Sequence, residues 1–456
     1  MQESHMDVII LTLGAMFFIV FVSFSLLSRA EKEVRASRVA GLAAFLLAGL
    51  FMGLVLLPIQ VKGYILAALL IIFLLSVFLF FLPIGKISDA DIKPGHRFDE
   101  RDIMFSRARL QSGFPEYVSY YEQHPERQRL DDLIQSEPGL LQKGTYFYNR
   151  AIFAASQGSF FVTEALRNAV EGPVQLSPLK LSPQSASNFV KSLAVNYGAL
   201  TVGITPSQPY HYYSNIGRGA GTYGEPIAIE HPFAIAFTVE MDYDMVGSNP
   251  LAAGVMESGR QYVESAKVAI SLAAAIREMG YEARAHIDGN YRVIAPLVAR
   301  DAGLGELGRM GILITPHSGP RVRLGVVTTT MPLLGDDRNL DPSVIDFCRI
   351  CKKCAIACPS QSISYEDRTM IHGDLRWQIN SETCFHYWTR CGTDCGRCMT
   401  VCPYAHQNNL AHQVIRWGIR RSGFFRRVAL RMDDLFYGRK PALRKPPDWT
   451  QISSED

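Results

Sequence analysis

All nine cysteines of this 456-residue chain fall between Cys348 and Cys402. A disulfide framework spreads its cysteines to tie distant segments together. Crowding them into one short stretch points instead to a metal-binding cassette. Cys348-x2-Cys351-x2-Cys354-x3-Cys358-Pro359 has the spacing of a bacterial ferredoxin run. In such a run three close thiolates wrap one [4Fe–4S] cube and the fourth cysteine reaches across to a second. A second run follows, Cys395-x2-Cys398-x3-Cys402-Pro403, with Cys384 upstream. Pseudo-twofold pairing predicts one cluster on Cys348, Cys351, Cys354 and Cys402, and another on Cys358, Cys384, Cys395 and Cys398. Tetrahedral zinc is the competing chemistry, but this spacing is far more typical of cubanes. Cys391 breaks both runs and reads as a spare thiol or as a substitute for Cys384.

The apolar content is concentrated at the other end of the chain. Val8–Ser28, Val39–Val61 and Gly63–Gly85 carry no charged residue, and each is long enough for a helix to cross a bilayer core of roughly 30 Å. Glu3 and Asp7 precede the first stretch, unlike the basic start of a cleavable signal, and no twin-arginine pair stands near the N-terminus. The expectation is a three-pass anchor over 1–85. Arg29, Lys32, Arg35 and Arg38 fill the first loop, whereas only Lys62 marks the second. That asymmetry predicts a cytoplasmic first loop, with the chain back on the cytoplasmic side at Lys86 and the remainder lying there.

Residues 86–185 read as a polar connector and packing region, with short helices over Tyr146–Ala155 and Val162–Ala169. An α/β region follows over 186–346. Helices are predicted over Ala186–Asn196 and Ser258–Met279, the latter from apolar residues at helical spacing and Gly280 as its C-cap. Strands are predicted over Ala199–Ile204, Ala234–Glu240, Gly311–Thr315 and Val322–Thr329. Gly303-x-Gly305-x-x-Gly308 matches a dinucleotide fingerprint in letters only, because a helical stretch, Pro296–Asp301, precedes it instead of a strand. The cysteine domain spans 347–405, and a basic tail occupies 406–456. From Arg416 to Lys445 that tail holds ten Arg/Lys against two Asp, interleaved with Trp417, Phe424, Phe425 and Phe436. This suits either anionic headgroups or a basic helix packed over the cluster domain. The net charge of +3 and the lack of a recognised module indicate no nucleic-acid partner.

The stretch AGLGELGRMGILITPHSGPRVRL (Ala302–Leu324), followed by FCRICKKCAIACPSQSI (Phe347–Ile363), closely resembles the corrinoid-dependent reductive dehalogenases. So do YGALTVGI (Tyr197–Ile204), the Tyr213-Ser214 pair, EMDYDMV (Glu240–Val246) and MDDLFYG (Met432–Gly438). The resemblance covers roughly 186–440, and its AGLG and ferredoxin parts are shared with the epoxyqueuosine reductases, a sister family acting on tRNA. It implies a nitroreductase-like α/β domain enclosing base-off cobalamin, with two [4Fe–4S] clusters as the electron wire. No Asp-x-His-x-x-Gly motif is present to ligate cobalt from below. The resemblance further implies a small organohalide substrate, whose halide is replaced using a proton from a tyrosine. A nearby cation lowers the pKa of that phenol. By motif the tyrosine falls on Tyr262, in the first turn of the long helix, the cation on Arg323, and an active-site asparagine on Asn290. Gln261 stands where the sister family carries an acid, which disfavours epoxyqueuosine-like reduction. A membrane-tethered ferredoxin is the non-enzymatic alternative. Fused spans in place of a leader imply a cytoplasmic-membrane enzyme with lipid contacts and an unidentified membrane or cytoplasmic electron donor.

Overall fold

Three apolar helices open the chain: α1 (Gln2–Ala30), α2 (Val34–Val55) and α3 (Ile59–Phe81). All three are long and apolar enough to cross a membrane. The computed structural model describes residues 2–85, 94–338, 341–371 and 373–452, so Lys86, the expected point of exit, lies outside the described residues. Small residues let α1 and α2 approach closely. Ala36, Ala40 and Ala44 are buried, and a Cβ on Gly14 would lie 2.7 Å from the Phe51 Cβ.

The helix ends differ from the uncharged stretches. α2 begins at Val34 and takes Arg35 and Arg38 into its first turns. The second break falls at Leu56–Pro58, where proline ends α2 and precedes α3. Lys62, expected in that loop, lies in the first turn of α3, buried and 2.7 Å from Asp7. Hydropathy locates the apolar middle of a span but not the flanking charges whose long side chains let them sit inside a helix end.

By internal contacts the chain forms two units, Met1–Ile87 with Gln407–Ala442, and Ser88–His406 with Leu443–Asp456. The second unit begins with short helices and then α4 (Arg150–Leu166) and α5 (Pro183–Asn196). α4 runs through both short helices expected there. The central sheet has the order β1 (Thr201–Pro206), β2 (Phe233–Glu240), β6 (Val322–Thr329), β3 (Ala283–His286), antiparallel throughout. Its two faces follow the period-two alternation of a strand covered on both sides. Ile235, Phe237, Val239 and Val327 face α5 and α6 (Ala252–Glu278), in one core with Val190, Leu272 and Ile276. Ala234, Ala236 and Val326 face α7 (Ala295–Asp301), with Val298 and Ala299. Fully burying an aliphatic side chain of this size is worth roughly 1.5–3 kcal/mol.

α6 starts six residues earlier than the apolar periodicity suggests, because Gly254 disguises its first turn; Gly259 lies further along the helix. Both serve close packing: a Cβ on Gly254 would collide with the Asn249 amide, and one on Gly259 would meet Ser159 of α4 at 3.2 Å. The glycines at 303, 305 and 308 likewise build a small hairpin of β4 (Glu306–Leu307) and β5 (Leu313–Ile314). A Cβ on Gly305 would strike the Ile314 carbonyl oxygen, and one on Gly308 would lie 3.7 Å from Cys348 Sγ.

Asp301, the last residue of α7, joins that helix to the loop entering the site. It accepts from Tyr210 Oη (2.6 Å) and pairs with His211 Nε2 (2.9 Å) and Arg338 Nε (2.9 Å). Burial pushes its carboxyl up, but His211, Tyr210, Arg300 and Arg338 outweigh that and pull it down to about 2. A depressed folded value stabilises the native state above the ordinary 3.8 and loses that contribution as pH falls toward about 2. Asp301→Asn is therefore expected to lower stability by about 2–3 kcal/mol near neutral pH. In thermal or urea unfolding, the gap between wild type and variant should close as the pH is lowered from about 4 toward 2.

Candidate functional site

The cysteine domain is assembled from four short helices: α8 (Pro342–Cys351), α9 (Lys353–Ala357), α10 (Ser381–Cys391) and α11 (Arg397–Thr400). The two runs share a backbone device. Lys352, which follows Cys351, has φ +57°, and Gly396, at the matching place after Cys395, has φ +62°. This left-handed step turns each loop around its own centre. Cys348, Cys351, Cys354 and Cys402 line one pocket with Arg309, Phe347 and Tyr404. Cys398 is in electrostatic range of Cys395, Cys354, Cys384 and Cys358, so the thiols of the two expected groups lie near one another, and Cys402 of the second run lines the pocket of the first.

Neither group converges on a point. Among the described residues, no three His, Cys, Asp or Glu side chains sit close enough to share one ion. Tetrahedral zinc requires four donors on a single centre, whereas a cubane takes each thiolate on its own iron. Burial and then the neighbouring Cys348 push the Cys354 thiol up to about 12, and burial with Cys358 takes Cys384 to about 11. Ionising such thiols at neutral pH needs the positive charge of bound iron. Cys391 is fully buried, and its sulfur hydrogen-bonds within its own turn, to Thr393 O (3.3 Å) and Thr393 Oγ1 (3.4 Å).

Tyr262 and Arg323, matched only by motif, come together. Arg323 stands opposite Val239 in the β6–β2 register, so its side chain points to the α6 face of the sheet. Its guanidinium lies over the Tyr262 ring, 4.4 Å from the centroid, with Nη1 3.4 Å from the phenol oxygen. Nη2 donates to Ser258 Oγ (2.6 Å) and to Asp394 Oδ2 (3.0 Å), and Ser258 Oγ also donates to Asp394. Tyr262 lies ten residues past the start of α6 at Ala252, not in its first turn. Burial pushes its phenol above the ordinary 10, Arg323 opposes that, and the net shift is upward. The expected lowering by the cation is therefore outweighed by desolvation. Tyr291 belongs to the same neighbourhood, its phenol driven up by burial, then by Tyr262 and Asp288.

Asn290 is not brought into this cluster. Its amide oxygen accepts from Arg284 Nη2 (2.8 Å), and its amide nitrogen donates to the Arg167 carbonyl (3.0 Å). Both ends of the side chain tie the turn after β3 to the end of α4. Arg321 is also structural, donating to Ala405 O (2.7 Å) and Met241 O (2.9 Å). Gln261 donates its amide to buried Glu257 (2.9 Å). The segment before α4 is more than a connector: Glu100 accepts from Gly217 N (2.9 Å) and Arg218 N (3.2 Å), pinning the loop over 217–226.

Ser258, Asp394 and Tyr291 are the site residues that motif reading missed. Ser258 lies one helical turn before Tyr262, so i,i+4 spacing places it on the same face. Several buried polar atoms here have no partner among the described residues: Arg323 Nε, Asp394 Oδ1 and both amide atoms of Asn249. Asn249 is wedged between Gly254 and Gly396, since a Cβ on either glycine would collide with its amide. Buried polar atoms are normally satisfied, so this cluster of orphans fits a site built around a further group.

An α/β sheet domain carrying a phenol–guanidinium pair, with a cysteine cassette of dicluster spacing beside it, defines the class as a protein with an iron–sulfur dicluster domain. Residues 347–406 match the family model of a 4Fe-4S dicluster domain. The tetrachloroethene reductive dehalogenase of Sulfurospirillum multivorans is 38% identical over 210 residues, covering 44% of this chain and 41% of that protein. A solved reductive dehalogenase, NpRdhA in complex with 3-bromo-4-hydroxybenzoic acid, has a TM-score of 0.63 at 26% identity, covering 80% of this chain and 49% of that one. Another, whose structure suggests a mechanism for B12-dependent dehalogenation, has a TM-score of 0.59 at 27% identity, covering 69% of this chain and 47% of that one. A shorter match, 30% over 122 residues, links the chain to the epoxyqueuosine reductase of Listeria monocytogenes, covering 24% of this chain and 28% of that one. The chain is thus homologous to the reductive dehalogenases, with epoxyqueuosine reductases as further relatives. It spans about half the length of the reductive dehalogenases it matches or less.

The thiol grouping makes a direct prediction. Cys402→Ala should cost the iron held with Cys348, Cys351 and Cys354 while sparing that held by the other group. Cys391→Ala should leave the iron content unchanged. Iron analysis and electron paramagnetic resonance of anaerobically purified protein would check both.

Proposed function

We propose that this chain is a membrane-anchored, corrinoid-dependent reductive dehalogenase that replaces a halogen of a small organohalide with hydrogen. The observation that carries this reading is the Arg323 guanidinium held over Tyr262 and tied by Asp394 to the cysteine loop. The net reaction takes the organohalide, two electrons and one proton to the hydrocarbon and halide. Cys348, Cys351, Cys354 and Cys402 would hold one [4Fe–4S] cluster and Cys358, Cys384, Cys395 and Cys398 a second, which would supply one-electron transfer. A cobalamin bound by the sheet domain would supply low-valent cobalt chemistry toward the carbon–halogen bond. The orphaned Asn249 amide, Arg323 Nε and Asp394 Oδ1 are the groups available to meet that cofactor or the substrate. The halogenated phenol bound by one solved relative supports the organohalide class. Gln261 cannot act as an acid and is committed to Glu257, which disfavours the epoxyqueuosine-type reaction.

Tyr262 then holds the proton that replaces halide. Its elevated pKa keeps it protonated throughout the neutral range, and Arg323 stabilises the phenolate left after transfer. Activity should hold across neutral pH and fall as pH rises through the phenol's raised value, where the acid form is lost. Arg323→Gln removes the larger of the two cationic influences lowering that value, so proton donation should weaken. Tyr262→Phe should lower halide release about 10²–10⁴-fold, with iron and corrinoid content unchanged in anaerobic extracts. A fully active variant would refute the proton-donor assignment, and protein that takes up no supplied cobalamin would refute the enzyme reading itself.

Arg29, Lys32, Arg35 and Arg38 mark the α1–α2 end of the spans as cytoplasmic. Burial of Lys62 against Asp7 strengthens this reading, because it removes the opposing charge from the other end. The cysteine and sheet unit is therefore assigned to the cytoplasmic side, where it can take electrons from a membrane or cytoplasmic donor. In inverted vesicles, protease should digest that unit; its protection there would overturn the orientation.

A further inference from the structure

The helices closing the first unit, α12 (Leu410–Arg421) and α13 (Gly423–Phe436), carry more apolar surface than their packing uses. Both dock on the spans. Trp417 stacks on Phe80 in the last turn of α3 (centroids 5.8 Å apart), and Phe425 meets the same ring. Phe436 packs edge-on against Phe24 of α1, and Arg35 of α2 donates to the Leu435 carbonyl (3.4 Å). A Cβ on Gly418 would meet the ring of Phe425, so the two helices lie close together. These contacts fix the hairpin at the end of the bundle where α1 stops, α2 starts and α3 stops.

Beside these contacts each helix presents a mixed stripe, which on α12 meets the bundle at Trp417. On α12, Leu410, Val414 and Trp417 are 77%, 54% and 53% exposed, one helical face with exposed Arg420 and Arg421 beside it. On α13 the same pattern recurs, with exposed Val428, Met432 and Leu435 running beside exposed Arg427 and Arg431. Apolar rows flanked by arginine suit the boundary between headgroups and acyl chains, with the guanidinium groups reaching up to phosphate. Tryptophan at the level of a span's last turn is where interfacial rings concentrate. The same end carries Arg29, Lys32, Arg35 and Arg38, so the positive charge is continuous around the bundle.

We infer that the α12–α13 hairpin lies in the headgroup layer and binds anionic phospholipid through Arg420, Arg421, Arg427 and Arg431. Continuity with helices that lipid must cover, and charge complementarity, favour this occupant over a second copy of the chain. The inference rests on the spans and not on the chemistry of the site. It is tested with the full chain in nanodiscs of phosphatidylcholine, with and without phosphatidylglycerol. The emission of Trp417, taken as the difference between wild type and Trp417→Phe, should be quenched by lipids brominated near the glycerol end of the acyl chain. Phosphatidylglycerol should be enriched around the protein, and glutamine at the four arginines should cut that enrichment about tenfold with iron content unchanged. If the quadruple variant does not fold, the wild-type quenching and enrichment decide alone. Absent quenching, equal binding of both lipids, or a dimer of chains in the nanodisc would overturn the inference.

Discussion

A guanidinium held between an aromatic face and a carboxylate organises the centre of the sheet unit. Arg323 is a partly buried cation whose desolvation must be offset. Burial pulls its pKa down, but Tyr262 and Asp394 outweigh that and hold it above the ordinary value. Each partner comes from a different part of the chain: Tyr262 and Ser258 from α6, Arg323 from β6, and Asp394 from the residue before a cluster cysteine. Removing any one strands charge in a desolvated place, which is far costlier than losing an exposed ion pair. The pair therefore serves two ends. It locks a helix to a strand, and it holds the Tyr262 phenol near the loop that carries Cys395.

Asp394 gives that lock its reach. It is 136 residues from Ser258 in sequence, yet the two share a hydrogen bond. Because Asp394 directly precedes Cys395, it cannot move without moving the cysteine, and Arg323 cannot move without moving Asp394. Phenol position and cysteine-loop position are thereby mechanically joined. Low local dielectric strengthens such a chain of charged hydrogen bonds, and Oδ1 of Asp394 has no partner among the described residues.

The parts legible in the sequence were those set by local spacing. Cysteine intervals located the cassette in which Cys348, Cys351, Cys354 and Cys402 line one pocket, and apolar and β-branched runs gave β2 and β6 nearly residue for residue. What escaped was set by contacts between distant segments. Asp394 carries no motif, and its role exists only because β6 and α6 face each other across the core. Asn290 stands in a turn that any asparagine suits, and its amide is consumed by Arg284 and the Arg167 carbonyl. The start of α6 was hidden by Gly254, a residue that opposes helix by propensity but is required here by the close approach of Asn249. The direction of the Tyr262 shift also depends on depth of burial, which no spacing encodes.

The same logic separates the charges of the first unit. Lys62 looks like a loop residue in sequence, yet it lies inside α3 and neutralises Asp7. A pair buried near one end of the spans contributes no net charge there, so the topological signal reduces to the opposite end. At that end Glu31 is buried and held by Asn409, and the arginines of α1, α2 and the closing hairpin stand unmatched in number by acids. The Arg/Lys bias that bears on orientation therefore lies at the α1–α2 end, while Lys62 is paired inside α3.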